Sequence, residues 1–293
     1  MITRRAFFGW LAGLTAATAG YAGAVEPGFR LRVQEWSLTP PLWPRGLALR
    51  IVAIADPHCA EPHMPLSRLE RIVARANDLR GDLIVLLGDY VAGHRFISRP
   101  VPPAEIAQTL DRLSAPLGVH AILGNHDWWE DPVAQRQRSG PSIWHQVLAG
   151  TGVSLLENTA TRLVHQGQAF WLAGMGDPIA FLHQPGGPRG VDDYPAMRAQ
   201  ITDDAPAILL LHEPDPWPVW RERFALSLCG HTHGGQVRLF GWSPIVPSSY
   251  GQRFAYGPVE EAGHSLVISG GLGCSILPVR FGMPPEITVV NIT

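Results

Sequence analysis

Residues 83–89 read LIVLLGD, an unbroken apolar run that ends at a glycine and a carboxylate. A short run of this kind is typical of a strand that is buried on both faces of a sheet. Similar apolar runs and the helical patterns between them lie on either side, at residues 49–55, 67–80, 103–113 and 119–123. Strands that alternate with helices predict a sheet that is covered on both faces.

The remaining patterns complete an α/β fold. In the helix expected over residues 67–80, Ser67 is the predicted N-cap and Glu70 would complete a capping box. Beyond Gly152 the pattern changes to shorter strands, predicted at residues 162–164, 169–173, 208–211, 225–228, 265–268 and 287–290. We therefore expect one α/β domain in which two mixed β-sheets face each other and helices lie outside.

Composition narrows the class of protein. The chain has 293 residues, 16% of them charged, and a formal net charge of -2. Nucleic-acid binders usually carry a basic surface, so no nucleic-acid partner is expected. The three cysteines, Cys59, Cys229 and Cys274, are too few for a disulfide framework, although one pair could still form.

The first residues have the composition of an export signal. Residues 3–8, TRRAFF, lead into an apolar stretch that ends in the small residues Ala22-Gly23-Ala24. This order is typical of a secretory signal, and adjacent arginines resemble the twin-arginine type, whose route exports folded proteins. We predict that residues 1–24 are such a signal peptide or an uncleaved anchor, with a short first helix of the domain as the alternative. Residues 25–45 are expected to be an exposed lead-in, and residues 46–293 the folded domain.

Acids, amides and histidines gather where the predicted strands end. They are Asp56, His58, Asp89, Asn125, His126, His212, His231 and His233. The pair His231-x-His233 would place both imidazoles on one face, because side chains alternate along a strand. Burying so many ionisable groups together is unfavourable unless cations compensate them. Imidazole and carboxylate ligands suit Zn, Mn or Fe, so the sequence predicts a metal site.

Five motifs carry a family resemblance. In chain order they are Asp56-x-His58, Gly88-Asp89, Gly124-Asn125-His126-Asp127, His212 and Gly230-His231-x-His233. Together they resemble the motif set of the calcineurin-like metallophosphoesterases over nearly the whole chain after residue 45. The resemblance is greater to the family's exported bacterial phosphodiesterase branch, on residues 88–90, 125–129, 230–236 and 272–287. It implies the four-layer αββα sandwich of that family for residues 46–293.

The resemblance also implies roles for the gathered residues. It assigns a first divalent transition metal to Asp56, His58 and His233, and a second to Asn125, His212 and His231. Asp89 would bridge the two metals, whose identity would be Mn, Zn or Fe. Such a pair lowers the pKa of a bridging water and supplies hydroxide as the nucleophile. His126 would donate a proton to the phosphoryl oxygen or leaving group, and Asp127 would orient His126.

Several other residues are candidates for substrate contact. They are His63, His94, Trp128, Arg238 and Arg253, with Trp129 as an equal candidate beside Trp128. The alternative for the histidines and arginines is an ordinary surface or core position. The alternative for both tryptophans is a place in the core.

These expectations combine into one function. The chain is predicted to be a metal-dependent phosphodiesterase, exported by the twin-arginine machinery to the periplasm or the outer face of the cytoplasmic membrane. Its phosphoester would be a lipid, a nucleotide-linked lipid or a wall polymer, and the enzyme would associate with the membrane. A phosphomonoesterase with the same metals is the alternative enzyme, and a non-catalytic envelope binding protein is the alternative from another class. A metallo-β-lactamase-like hydrolase is excluded, because His231-x-His233 continues into two glycines.

Overall fold

The computed structural model describes residues 3–182, 184, 186–187 and 189–293. Within these ranges the helices are α1 (Arg4–Gly20), α2 (Glu26–Phe29), α3 (Leu66–Asp78), α4 (Pro103–Leu110), α5 (Asn125–Trp129), α6 (Pro132–Gln137), α7 (Ile143–Ala149), α8 (Tyr194–Ala199) and α9 (Trp217–Trp220). Among the described residues, no helix combines the length and the apolar character that crossing a bilayer requires.

The strands follow the same chain order. They are β1 (Arg32–Leu38), β2 (Leu49–Ile54), β3 (Ala60–Glu61), β4 (Leu83–Leu86), β5 (Arg99–Pro100), β6 (Val119–Ala121), β7 (Val153–Leu155), β8 (Thr159–His165), β9 (Gln168–Gly174), β10 (Ala207–Leu210), β11 (Leu226–Cys229), β12 (Gly257–Glu261), β13 (His264–Ile268) and β14 (Glu286–Ile292). One six-stranded sheet has the order β1-β14-β2-β4-β6-β7, and the other has the order β12-β13-β11-β10-β9-β8. Each sheet mixes parallel and antiparallel pairs, as expected from the sequence.

The two sheets pack face to face and bury one core between them. Ile51 and Val85 of the first sheet and Ile208 of the second lie fully buried in this core. The outer face of the first sheet packs against α3, α4 and α7, and the outer face of the second packs against α8 and α9. The predicted α/β sandwich of two facing sheets with helices outside is therefore confirmed.

The lead-in expected over residues 25–45 is not simply exposed. Arg32–Leu38 forms β1 and pairs in parallel with β14 along its whole length. The Arg32 guanidinium lies 2.6 Å from the carboxylate of Glu286, which is fully buried. Residues 32–38 show no clear strand pattern because β1 is a half-buried edge strand with polar residues on its open face.

The start of α3 also differs from the prediction. The helix begins at Leu66, and Pro65 occupies the N-cap position that was predicted for Ser67. The fixed φ of Pro65, -65°, suits a cap, and its carbonyl accepts the N–H groups of Arg68 and Leu69. Ser67 therefore lies inside the first turn, and the predicted capping box with Glu70 is wrong.

The segment that follows α1 packs against the domain. Helix α1 itself has no buried residue, and a π-helical turn over Tyr21–Val25 connects it to α2. The Arg280 N–H donates to the carbonyl of Ala22 at 2.9 Å. Glu26 is only 2% exposed, and its carboxylate accepts the N–H groups of Gly282 (3.2 Å) and Met283 (2.7 Å). Residues 21–29 therefore belong to the packed structure.

All three cysteines lie within the described ranges. Cys59, Cys229 and Cys274 are buried and none forms a disulfide. Burial raises the pKa of each thiol, so the thiols are protonated at neutral pH.

Replacing Glu26 tests the packing of this segment. We expect Glu26→Ala to lower the free energy of unfolding by about 1–3 kcal/mol, because two backbone donors lose their acceptor. The control is Glu35→Ala, which removes an exposed ion pair with Arg50 and should change stability by less than about 1 kcal/mol. Urea denaturation at a fixed metal concentration measures both. Equal effects of the two substitutions would contradict a structural role for Glu26.

Candidate metal centre

The predicted ligands meet at one end of the sandwich. The first sheet delivers them after β2, β4 and β6, and the second sheet after β10 and β11. In chain order they are Asp56, His58, Asp89, Asn125, His212, His231 and His233. The carboxyl ends of parallel strands lie at the same edge of a sheet, so both sheets contribute to one site.

Backbone strain is concentrated in these residues. Left-handed φ values occur at Asp56 (51°), His58 (43°), Asp89 (57°), His231 (67°) and His233 (52°). Such a conformation costs about 1–3 kcal/mol for a residue other than glycine and persists where the surroundings impose it. Close approach adds to the constraint, since a Cβ on Gly124 would lie 2.4 Å from Asp89 Oδ1.

Four side chains form a first cluster. Asp56, His58, Asp89 and His233 offer ligand atoms that all lie within 4.8 Å of one another. His58 Nε2 is 3.1 Å from His233 Nε2 and 3.4 Å from Asp89 Oδ2. His233 Nε2 is 3.7 Å from Asp56 Oδ1. The four donors therefore face a common point.

A second cluster shares Asp89 with the first. Asp89, His212 and His231 also offer ligand atoms within 4.8 Å of one another. His212 Nε2 is 3.2 Å from Asp89 Oδ2, and Asn125 Oδ1 is 2.9 Å from His231 Nδ1. Asp89 thus lies between the two clusters, in the position that the resemblance gave to a bridging carboxylate.

Backbone carbonyls orient two of the rings. His58 Nδ1 lies 3.0 Å from Val91 O, and His212 Nδ1 lies 2.6 Å from Leu87 O. A carbonyl only accepts, so each ring donates a proton through Nδ1, and the neutral form of each ring has its lone pair on Nε2. In both residues that nitrogen faces Asp89, as is typical of histidines that bind metals.

The charge state of the clusters fits divalent cations. Burial lowers the pKa of His58 and of His231 to about 3, so both rings are neutral at pH 7 and able to coordinate. Burial raises the pKa of Asp56 to about 7. Asp56 Oδ2 and His212 Nε2 are buried without a hydrogen-bond partner. Carboxylate oxygens and imidazole nitrogens that are buried without a hydrogen-bond partner can coordinate a cation instead. Ligands of these two kinds suit Mn, Zn or Fe.

His126 lies beside the clusters and belongs to neither. Its ring contacts that of Trp129 at a centroid distance of 5.1 Å, and its Nε2 is 3.4 Å from Ser275 Oγ. On the other side, Nδ1 is 3.5 Å from the carboxylate of Glu130. Burial opposes protonation, but the carboxylates of Asp89 and Glu130 prevail and raise the pKa of His126. The ring is therefore placed to hold a proton at the edge of the site.

Among the described residues no hydrogen bond joins Asp127 to the His126 ring, and the predicted orienting role stays a prediction. Its carboxylate accepts the backbone N–H groups of Asp89 (2.8 Å), Tyr90 (2.8 Å) and Gly124 (2.9 Å). Asp127 therefore holds together the two loops that carry Asp89 and Asn125. The carboxylate beside the His126 ring belongs to Glu130.

A glycine makes room for Glu130. A Cβ on Gly93 would lie 1.8 Å from Glu130 Oε1 and 2.9 Å from His126 Nδ1. Any side chain at position 93 would displace the carboxylate. The spacing of His126 and Glu130, four residues apart on one helical turn, is the sequence signal that could have indicated this pair.

Three of the predicted substrate contacts have other partners in the structure. Trp128 is fully buried and packs against Phe181, so it belongs to the core, whereas Trp129 contacts His126. His63 Nε2 is 2.8 Å from Gly23 O and holds the N-terminal segment. Arg253 pairs with Glu261 on β12, and its guanidinium is engaged there.

The other two predicted contacts have different surroundings. Burial, together with the charges of His63 and His126, lowers the pKa of His94. Substrate contact by His94 remains a prediction. Arg238 donates to Ser243 Oγ at 3.0 Å and lies over the ring of Tyr256. Neither of these partners belongs to the two metal clusters.

Two further acids border the second cluster and were not predicted. Glu213 and Asp177 are both buried, and Glu213 Oε1 lies 3.9 Å from His231 Nδ1. Burial raises the pKa of both carboxyls. Glu213 also lines a cavity of about 350 Å³ together with His231 and Asp215. Its position directly after His212 was the available sequence signal.

Arg280 is a fully buried cation beside the first cluster and was also not predicted. Its Nη2 lies 3.1 Å from His233 Nδ1. Its other donors go to the carbonyls of Gly270 (3.0 Å), Gly273 (2.8 Å) and Met283 (2.9 Å). The guanidinium thus ties the loop after β13 to the loop that carries His233.

Comparison with known proteins agrees with this geometry. The family model described as calcineurin-like phosphoesterase matches residues 49–235. The uncharacterized metallophosphoesterase YkuE of Bacillus subtilis is 28% identical, over 99% of this chain and 98% of its own. The phosphodiesterase YaeI of Escherichia coli is 28% identical over 100% of both chains. The UDP-2,3-diacylglucosamine pyrophosphatase LpxG of Chlamydia trachomatis is 25% identical over 92% of each chain.

The match covers both the strands and the loops from which the two clusters are built. It begins with β2, which precedes Asp56, and ends just after His233. The buried acids and histidines fit divalent metals, and relatives that span the same length are named as hydrolases of phosphoester or pyrophosphate bonds. This chain belongs to the calcineurin-like phosphoesterase family and is a hydrolase of phosphoester bonds.

Proposed function

We propose that this protein is a phosphodiesterase that acts on an amphiphilic phosphoester of the cell envelope. The observation that carries the preference for a diester is the charge around the clusters. Arg280, the buried cation beside the first cluster, has its donors engaged by the carbonyls of Gly270, Gly273 and Met283. A diester carries one negative charge at neutral pH, whereas a monoester approaches two. Arg280 therefore offers no free donor to a second phosphoryl charge, which favours the diester over the monoester.

The assignment of ligands follows the two clusters. Asp56, His58 and His233 would hold one metal, and Asn125, His212 and His231 the other, with Asp89 shared. When bound, such a pair binds the phosphoryl oxygens and lowers the pKa of water toward neutrality. Asp127 keeps the loops of Asp89 and Asn125 in register, since it accepts N–H groups from both.

His126 would supply the proton for the leaving group. Its ring lies outside both clusters, so a metal does not take its lone pair, and Asp89 and Glu130 favour its protonated form. A group that donates a proton in the transition state contributes about 10²–10⁴-fold to the rate. Glu130 would fix the ring so that Nδ1 faces the carboxylate and Nε2 faces the substrate.

The names of two relatives support the substrate class. The Escherichia coli relative is named a phosphodiesterase, and the chlamydial relative is named for a pyrophosphate that carries acyl chains. By analogy with this relative, we infer that the substrate of this chain is linked to a lipid. Export by a twin-arginine signal, to the periplasm or the outer membrane face, is part of the same proposal and is supported by residues 3–8.

A panel of phosphoesters with defined metals tests the proposal. The full chain, supplied with Mn, Fe or Zn, should hydrolyse diesters with a higher kcat/KM than the matching monoesters. Asp89→Asn should lose metal and turnover together, because both clusters share Asp89. Asp78→Asn, at the exposed end of α3, is the control and should retain both. A preference for monoesters would overturn the diesterase assignment, and an inactive metal-loaded chain would overturn the site.

The role of His126 has its own test. His126→Ala should retain the bound metal and lose about 10²–10⁴-fold in kcat on diesters with poor leaving groups. The loss should be much smaller for a nitrophenyl leaving group, which needs no proton. His165→Ala, on the edge strand β8, serves as the control. Elemental analysis and steady-state kinetics give the two readouts, and an equal loss on both leaving groups would contradict a proton-donor role.

Glu130 is expected to act only through His126. Glu130→Gln should lower kcat for poor leaving groups and leave metal content and KM nearly unchanged. It should also lower the pH above which activity falls, because Glu130 raises the pKa of His126. Glu157→Gln is the matched control, because Glu157 faces His145 at 3.2 Å in a similar pair away from the clusters. A Glu130→Gln enzyme that behaves like the Glu157→Gln enzyme would refute the assignment.

A further inference from the structure

A phenylalanine stands at the tip of a tight hairpin near the metal centre. Leu239 and Trp242 exchange two backbone hydrogen bonds of 2.9 Å, and Phe240 and Gly241 form the turn between them with φ values of 52° and 81°. This turn favours Asn-Gly, and a left-handed phenylalanine is uncommon. Phe240 is also fully exposed, at 107% of its reference area. Within the described part of the chain, no contact covers this side chain.

Other exposed apolar side chains surround this tip. We call the set the apolar rim, and its members are Leu239 (45% exposed), Phe240, Trp242 (57%), Ile245 (74%), Ile276 (78%) and Leu277 (50%). The rim comes from two loops that Gln236 connects. Its side-chain amide donates to Leu277 O (2.8 Å) and Val279 O (3.0 Å), and its oxygen accepts the N–H of Ser275 (2.7 Å). The two loops therefore form one surface.

The apolar rim borders the catalytic site. Ser275, next to Ile276, has its Oγ 3.4 Å from His126 Nε2. Gln236 lies three residues after His233, so the other loop of the rim also starts at a ligand. A substrate that reaches His126 from this side passes the rim.

Acidic residues are missing from the segments that form and adjoin the rim. The chain has 25 acidic residues, yet residues 224–259 and 262–285 contain none and residues 1–25 contain none. The last segment includes α1, whose exposed Phe7, Phe8 and Trp10 follow Arg4 and Arg5. It joins the domain where Tyr21 packs on Phe281 at a ring distance of 6.1 Å. The Phe281 carbonyl accepts the N–H of Arg238, at the base of the hairpin.

We propose that the apolar rim inserts into the surface of a phospholipid bilayer that contains anionic lipids. Apolar tips on separate turns suit a fluid partner, because each tip can enter it without a complementary pocket. Trp242 beside them suits the boundary between head groups and acyl chains. The absence of acids removes repulsion from anionic head groups. This inference rests on the proposed function, and it specifies that the phosphodiester is presented at the head-group level of a membrane.

The test uses the full chain and removes the contribution of α1. In the parent protein Phe7, Phe8, Trp10 and Leu11 are replaced by serine, since none of them is buried. The rim variant adds Phe240→Asn and Ile276→Ser. Asn-Gly is the favoured pair for this turn, so the hairpin is expected to persist. The control variant instead adds Val164→Ser and Val219→Ser, which are 57% and 74% exposed on β8 and α9.

Two measurements decide the outcome. In sedimentation with phosphatidylglycerol–phosphatidylcholine vesicles, the rim variant should bind at least about 10-fold more weakly than the parent, because burial of each apolar side chain contributes that much. The control variant should bind like the parent. On a diester lipid in these vesicles the rim variant should lose activity by a similar factor, and on a soluble nitrophenyl diester it should retain full activity.

Each result separates the two proposals. Equal vesicle binding by the rim and control variants would overturn membrane insertion, whatever the enzyme hydrolyses. A parent that binds vesicles through the rim but hydrolyses no diester would overturn the proposed function and leave the insertion standing. Dimerisation of the parent that the rim substitutions abolish, without vesicle binding, would assign the rim to a second copy of this chain and overturn the membrane partner.

Discussion

Asp89 is the group on which the rest of the site depends. It belongs to both ligand clusters, and its carboxylate faces His58 and His212, one from each sheet. Two buried acids within a few ångströms are unfavourable without cations, since burial together with the charge of Asp89 raises the pKa of Asp56 to about 7. The packing of the two sheets and the assembly of the metal centre are therefore one constraint, because each sheet supplies only part of the ligand set.

The backbone around the centre is fixed from behind by groups that do not bind metal. Asp127 accepts three N–H groups from the loops of Asp89 and Asn125, and Arg280 donates to three carbonyls around His233. These contacts can maintain the left-handed conformations of the ligand residues against their strain. Glu26 extends this support outward, because it binds the turn that follows Arg280. The loop that contains Arg280 and Met283 therefore links the N-terminal segment to His233.

The sequence predicted the sandwich and the gathering of the ligands because both depend on local patterns. Buried strands read as apolar runs, and ligands at strand ends must converge whatever the loops do. Side-chain partners in the folded chain were less predictable. The contact of Glu130 with His126 depends on the missing side chain of Gly93, and only the tertiary structure brings Gly93 there. The sequence pattern did not distinguish Trp128 from Trp129. Adjacent residues of a helix point in different directions, so Trp128 lies in the core and Trp129 contacts His126. Helices α5 to α9 have four to seven residues, too few to show a helical period.

Selectivity in such an enzyme must come from what surrounds the ligands, because the ligand set itself acts on any phosphoester that reaches it. Two features of the surroundings differ in kind. The buried cation Arg280 beside His233 has its donors engaged by carbonyls and offers none to a second negative charge on the phosphoryl group. The apolar rim lies on the side of His126 and Ser275 and offers exposed hydrocarbon instead of charge. A substrate that satisfies both has a singly charged phosphorus centre and an apolar part near the leaving group. A membrane lipid with a phosphodiester head group meets both conditions, whereas a soluble phosphomonoester meets neither.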